Sequence, residues 1–374
     1  MAKKKTDKKL GLYIHIPFCR TICVYCAFPT YANKNALINE YLGALHKEIE
    51  HKGRDFSDYS IETIYFGGGT PSLLDTALIE QILATVKANF QADGVKEIGL
   101  EANPESLSAE KISQYRQMGI NRLSIGIQSL NNRTLWKIAR PHNQKTALDA
   151  LSKLKKAGWK NFGCDLIIGL PFQTLASFKK DLRVVADSGT THLSTYFLSH
   201  DTVKIDSFIA DSPSEDEQIA MYKFTDQYLR KMGYNHYEVS NYAKPGFECR
   251  HNLRYWNRDE YLGLGLGAHS FINNEVSENT DNFDEYLANP LAPKERFKLE
   301  NDLEIADSLM LSLRKNHGVN LENFCRCYGP QRTAQLLDKA LSYKKTRHLK
   351  ITDQYISPTL KGWLILDTIT KDLI

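Results

Sequence analysis

No apolar run in this 374-residue chain approaches the ~18 residues that a membrane-spanning helix requires. A helical membrane span is therefore excluded. Charge of one sign is also scarce. The 48 basic and 44 acidic residues leave a formal net charge of +4, and no nucleic-acid partner is expected from so small an excess. Part of that excess sits in a run with Lys3, Lys4, Lys5, Lys8 and Lys9. Such a run can touch acidic lipid, but residues 1–9 read more simply as a solvated, disordered tail. No secretory leader precedes the first cysteine, and the seven cysteines are an odd number, which argues against a disulfide framework. Reduced thiols imply the cytoplasm. No internal repeat of fixed period is visible beyond an alternation of strand and helix patterns.

What is present is concentrated. Cys19, Cys23 and Cys26 form a C-x3-C-x2-C run directly after the apolar segment Leu12–Ile16. Thiolates at this spacing can hold three corners of a 4Fe–4S cube. Such clusters normally take four cysteines, so a deficit of one leaves an iron open to a small molecule. A structural zinc site would need a fourth ligand, and His15 lies too early on the predicted strand to supply it. Three unrelated buried cysteines remain the plainest alternative.

Six strand-then-helix patterns run from about residue 10 to 235. The predicted strands are Leu12–Ile16, Ile61–Phe66, Ile98–Glu101, Arg122–Gly126, Phe162–Ile168 and His192–Tyr196. Helical patterns follow each, among them Asp75–Asn89 and Ser108–Met118 with acidic or hydroxyl caps at their starts. This alternation argues for a parallel sheet with outer helices, in which chemistry gathers at the carboxyl ends of the strands. The unusual residues fall there: the cysteines after strand one, Gly67-Gly68-Gly69-Thr70 after strand two, Glu101 at the end of strand three, Gln128 after strand four and Asp165 in strand five. The glycine loop lacks the lysine of a phosphate-binding P-loop. It can instead present backbone groups to an amino-acid moiety. The pattern breaks over Gly246–Ser270, and after Pro293 the chain reads as mostly helical.

These residues resemble the radical S-adenosylmethionine superfamily, and over nearly the whole chain its coproporphyrinogen oxidase-like branch. The resemblance implies an α/β fold, a partial (β/α)6 TIM-like barrel over 10–240, with a smaller, mainly helical domain over 241–374. It implies a 4Fe–4S cluster on Cys19, Cys23 and Cys26, whose unique iron is chelated by S-adenosylmethionine. Tyr13, Gly68, Gly69, Thr70, Glu101, Gln128, Arg140 and Asp165 would line that pocket, with Tyr25 by the adenine. Arg140 suits a carboxylate fork; Gln128 and Asp165 suit ribose hydroxyls.

Within the branch, two features separate the chain from the oxygen-independent oxidase. Phe28 stands where the oxidase has a further cysteine, and the oxidase's longer N-terminal extension is missing. The run His251-Asn252-Leu253-Arg254-Tyr255-Trp256 matches the HNxxYW signature of HemW-type haem chaperones. The segment Tyr261 to His269-Ser270 also follows that family. The resemblance implies haem as cargo, contacted by His251 with Tyr255 and Trp256 as flat apolar surface. It also implies a haem-accepting apoprotein at the membrane surface, and an electron donor for the cluster. Cys249 is a second haem candidate, while Cys164, Cys325 and Cys327 match no motif. Two departures from the family pattern are Ala27 for aspartate and Ala139 for the glycine before Arg140. The competing readings are radical decarboxylation of coproporphyrinogen III and a zinc-stapled β/α binding protein. The use of radical chemistry and a homodimer are left open.

Overall fold

A computed structural model of the chain describes residues 8–199 and 210–374. The first three units are β1 (Lys9–Ile16) with α1 (Ile38–Asp55), β2 (Ser60–Gly68) with α2 (Thr76–Asn89), and β3 (Glu97–Ala102) with α3 (Ala109–Gln117). The next three are β4 (Arg122–Gln128) with α4 (Gln144–Lys156), β5 (Phe162–Ile168) with α5 (Leu175–Asp187), and β6 (His192–Phe197) with α6 (Glu215–Lys231). The six strands pair in chain order, all in parallel. Their apolar runs are unbroken because helices cover one face and the barrel interior the other; Ile64, Tyr65 and Phe66 are all buried. Ser108 caps α3 by accepting from the Lys111 N–H at 3.0 Å. Asp75 occupies the equivalent position before α2, but its side chain makes no capping bond.

The sheet does not stop where the six units do. β7 (Asn235–Glu238) and β8 (Asn241–Ala243) extend it antiparallel beyond β6. α7 (Arg250–Asn257) then carries the chain across to β9 (Tyr261–Leu264), which lies parallel to β1. β10 (His269–Ile272), β11 (Glu275–Asn279) and β12 (Pro293–Lys298) continue antiparallel on that side. β1 to β12 make one twelve-stranded sheet, ordered β12-β11-β10-β9-β1-β2-β3-β4-β5-β6-β8-β7. The strands of the Gly246–Lys298 stretch escape sequence periodicity because they are short and none alternates buried with exposed residues: β9 is mostly buried, β10 and β11 are largely half-buried and β12 is fully exposed. Arg254 fixes the turn into β9: its guanidinium donates to the carbonyls of Lys9 (3.0 Å) and Glu260 (2.8 Å) and pairs with Glu62 (2.8 Å).

α8 (Asn301–Ser312), α9 (Leu321–Lys345) and α10 (Leu366–Leu373) form the mainly helical remainder with a small three-stranded sheet. Leu309, Leu313, Phe324, Trp363 and Ile369 make a separate apolar cluster there. α9 is kinked at Gly329, whose φ is +86°, just before Pro330. At the chain start, Lys9 opens β1 and the Lys8 ammonium pairs with Asp58 at 2.7 Å. The predicted tail therefore does not reach these two residues. Lys3, Lys4 and Lys5 lie outside the described residues.

One buried carboxylate joins the β/α units to the added strands. Glu48 of α1 accepts from the Gly265 N–H (2.8 Å), Asn279 Nδ2 (2.8 Å) and the Tyr286 hydroxyl (2.7 Å). Burial pushes its pKa up to about 7 against the pull of those donors.

Candidate functional site

A cavity of about 390 Å3 opens at the carboxyl ends of β1 to β6. Cys19, Cys23 and Cys26 stand on its rim, in the loop that leaves β1. That loop is pinned to the segment before Arg140: the Val24 N–H donates to Ile138 O (3.4 Å) and the Thr21 hydroxyl to Ala139 O (3.3 Å). Cys19 Sγ lies 3.6 Å from Thr70 Oγ1 and Cys26 Sγ 3.9 Å from Thr30 Oγ1. Burial pushes the Cys19 thiol up to about 11 and raises the Cys26 thiol as well. Among the described residues, no three histidine, cysteine or acidic side chains converge on one metal-ion position. A cube, by contrast, gives each thiolate its own iron. His15 is not a fourth ligand. It is buried, and its ring nitrogens are engaged by the Tyr13 hydroxyl (3.1 Å) and Pro29 O (2.9 Å).

The glycine loop forms one wall. Gly68 has a φ of +107°, and a Cβ there would come within 2.4 Å of the His15 ring. A Cβ on Gly69 would meet Phe18 O at 2.8 Å. Glycine is thus required at Gly68 by both conformation and space, and at Gly69 by space. The loop's N–H groups are partly committed: Gly68 donates to Glu101 Oε2 (3.2 Å), Gly69 to Ile16 O and Thr70 to Phe18 O (both 2.9 Å).

The polar floor comes from β3, β4 and β5. Glu101 accepts from the Tyr65 hydroxyl at 3.0 Å. Enclosure, and then the charge of Asp165, push its pKa up to about 7. Enclosure raises Asp165 too, opposed by the Ser194 and Ser124 hydroxyls; Ser124 donates to both its oxygens at 3.3 Å. A bulge between Gly126 and Gln128 turns Gln128 into the cavity, with φ at +65°. Arg140 reaches in from above. Its Nη2 donates to Asn103 Oδ1 (2.7 Å) and Gly126 O (2.6 Å), and its Nη1 to Cys23 Sγ (3.5 Å) and the Tyr25 hydroxyl (3.4 Å). Its buried Nε has no partner among the described residues. Ala139, before it, is held at φ +58°, the left-handed region that a glycine enters freely.

Of the residues expected here, the cavity brings together the three cysteines, Tyr25, Gly68, Gly69, Thr70, Glu101, Gln128, Arg140 and Asp165. It does not bring in Tyr13 or His251. Tyr13 lies behind the glycine loop, where a Cβ on Gly67 would touch its ring at 2.8 Å. It is a support, not a wall. His251 is fully buried, with Nδ1 2.8 Å from Thr63 Oγ1 and Nε2 2.8 Å from the Tyr255 hydroxyl. Its ring is stacked on Tyr65 at 5.1 Å, and burial lowers its pKa to about 3. Neither nitrogen is free to ligate iron in this arrangement. Cys249 is also buried, its Sγ 3.7 Å from Glu97 Oε1. Asn103 and Ser124 were missed. Asn103 follows Glu101 by two residues and so faces the same way, a signal that was legible.

A second cavity, of about 750 Å3, lies between the β10–β12 face and helices α8 and α10. Tyr255 of the HNxxYW run reaches its wall; Trp256 does not, and instead packs beneath Arg314 at 5.7 Å.

The radical SAM superfamily model matches residues 13–185. The heme chaperone HemW of Lactococcus lactis is 36% identical over 365 residues, covering 93% of this chain and 94% of its own length. The heme chaperone HemW of Bacillus subtilis is 30% identical, covering 91% and 95%. Among solved structures, the coproporphyrinogen III oxidase HemN of Escherichia coli, a radical SAM enzyme, superposes with a TM-score of 0.86 at 25% identity, over 100% of this chain and 91% of that one. Identity of this extent along nearly the full length of both chains, on this fold, makes the protein a member of the HemW family within the radical SAM superfamily.

Proposed function

We propose that the protein is a haem chaperone that carries a 4Fe–4S cluster and binds S-adenosylmethionine. The haem half of this reading is carried by one observation, the full-length identity with HemW relatives named heme chaperones. The cofactor half is supported by the first cavity. Three thiols rim it, a guanidinium with an unpartnered Nε enters it, and two carboxylates line its floor. The donor set fits the group: Cys19, Cys23 and Cys26 would hold the cluster, Arg140 would take a carboxylate, and Glu101 and Asp165 would meet an ammonium and hydroxyls. The bound group supplies an open iron that acts as Lewis acid and electron source. The residues bind and orient it, and Tyr25 and the glycine loop keep water from its side.

On this reading residues 10–240 serve the cofactors, residues 241–374 serve the cargo, and residues 1–9 serve neither. The HNxxYW run contributes to haem through Tyr255, with His251 holding that hydroxyl from behind. The acceptor is a haem-requiring apoprotein met at the membrane surface. The cytoplasm, an electron donor for the cluster and a homodimer complete the proposal.

The oxidase reading is favoured by the likeness to HemN. Against it stands Phe28, 66% exposed on the cavity rim where the oxidase has its further cysteine. Anaerobic reconstitution with iron and sulfide, followed by separate titrations with haem and coproporphyrinogen, tests both. The expected result is a shifted Soret band with haem and no decarboxylated porphyrinogen. Turnover of coproporphyrinogen would overturn the chaperone reading.

A further inference from the structure

The second cavity is a slot with unlike walls. Strand register builds one of them. Tyr261 pairs with Phe271, Phe271 with Val276 and Val276 with Phe297, so four apolar side chains cross the sheet in one row. The next row is polar: His269 pairs with Glu278, and Glu278 with Glu295. The facing wall is helical, with Leu303 and Met310 from α8 and Ile374 just past α10. Phe297 (41%), Leu303 (52%) and Met310 (38%) are open to solvent, an unusual concentration of exposed large apolar side chains. The volume of about 750 Å3 is in the range of small-molecule sites. A sheet face opposed by helices leaves a flat space, which suits a flat ligand.

We propose that this slot seats the haem and that His269 is its iron ligand, an inference that rests on the haem-chaperone reading. His269 differs from His251 in what matters for ligation. Its side chain is 56% exposed, and its nearest ionic partner is Glu278, with Nε2 4.0 Å from Oε1. The imidazole is therefore available, and the carboxylate beside it can orient the ring. Histidine is a normal axial ligand of haem iron. The row of Tyr261, Phe271, Val276 and Phe297 offers apolar and aromatic area to the macrocycle. Charge sets the orientation. Glu278, Glu295, Asp307 and Asp367 line the slot. Asp307 is neutralised by Arg258 at 2.8 Å and Glu278 by Lys294 at 3.1 Å. The propionates are repelled by the remaining acids and face the mouth, where Lys371 is exposed. A half-open slot with an exposed ligand also leaves the iron within reach of an acceptor's own ligands, as delivery requires.

The test is haemin titration of the full-length, reconstituted protein, followed by Soret absorption and ferric spin state. Wild type, His269→Ala and Ala306→Trp are compared; the last fills the slot from α8. Cluster iron content, S-adenosylmethionine binding and thermal unfolding serve as controls for the fold. His269→Ala is expected to move the Soret band and spin state and to weaken haem by roughly tenfold or more; Ala306→Trp is expected to block binding. Wild-type affinity and spectrum in both variants would overturn the slot. A blocked Trp variant with an unchanged His269→Ala spectrum would overturn the ligand. No haem binding by wild type would overturn the chaperone reading itself.

Discussion

The two cavities are built by opposite means. The first sits at the ends of parallel strands and has a polar floor whose hydrogen bonds are largely made in advance. The second lies across antiparallel strands, is apolar on two walls and open at its mouth. Polar recognition of an amino acid and nucleoside needs donors held in place beforehand, because each misplaced buried group is expensive. An apolar disc needs area and one ligand, and it must be let go. On the proposed function, the contrast separates a site that keeps its occupant from one that releases it.

The strongest way to break the comparison is to remove a thiolate. Cys19→Ala, Cys23→Ala or Cys26→Ala is expected to abolish the cluster, read as iron content and visible charge-transfer absorption. An intact cluster in any single variant would sink the cofactor assignment. Next in size is Arg140→Ala. Losing one partner of an enclosed charge pair costs about 2–5 kcal/mol, so S-adenosylmethionine should weaken strongly in equilibrium dialysis while cluster iron stays constant. Unchanged affinity would place Arg140 outside the binding set.

Protonation sharpens the comparison further. Enclosure and the charge of Asp165 raise the Glu101 pKa to about 7, and a cationic ligand group favours the ionised form. Affinity for S-adenosylmethionine should therefore rise with pH, by roughly tenfold from about pH 6 to about pH 8, the ratio of ionised fractions one unit either side of the pKa. Glu101→Gln should flatten that profile, whereas haem binding in the second cavity should not follow it. His251 tests the seam between the sites. His251→Phe keeps the stack on Tyr65 but loses the bonds to Thr63 and Tyr255. A loss of about 1–3 kcal/mol in stability is expected from the orphaned hydroxyls, with a weaker effect on haem. Loss of the whole haem Soret shift would instead make His251 itself the ligand. The smallest effect is Ala139→Gly. Relief of a left-handed alanine is worth about 1 kcal/mol, seen as a modest rise in thermal midpoint; a fall would show that φ +58° is not strained there.

Legibility followed the same division. The β/α units and the first cavity were readable because each contributes one residue or one short motif at a strand end. Cys19, Gly68, Glu101, Gln128 and Asp165 needed no long-range register to be placed together. The slot depends on register between β9, β10, β11 and β12 and on helices that follow much later. No local pattern encodes that meeting. His251 shows the limit of motif reading: type and position suggested a ligand, but packing against Tyr65 and Thr63 gave it another role. Tyr13 failed in the same way. Strand alternation tells which face a side chain is on, but not whether a glycine loop lies over it.

The two ends of the sheet are guarded differently. At one end, β7 is partly covered: the Val239 N–H donates to Arg314 O (2.8 Å) and the Asn316 N–H to Tyr237 O (3.1 Å). At the other end β12 is bare, with all six residues exposed, yet it reads Pro293, Lys294, Glu295, Arg296, Phe297, Lys298. A proline without an N–H and four charges make it a poor template for another chain's strand. This protection is needed where an open apolar slot sits beside an unpaired edge. Neutralising Lys294, Arg296 and Lys298 should leave the fold standing and turn the failure into concentration-dependent aggregation, so that solubility, not melting, would be the first property to go.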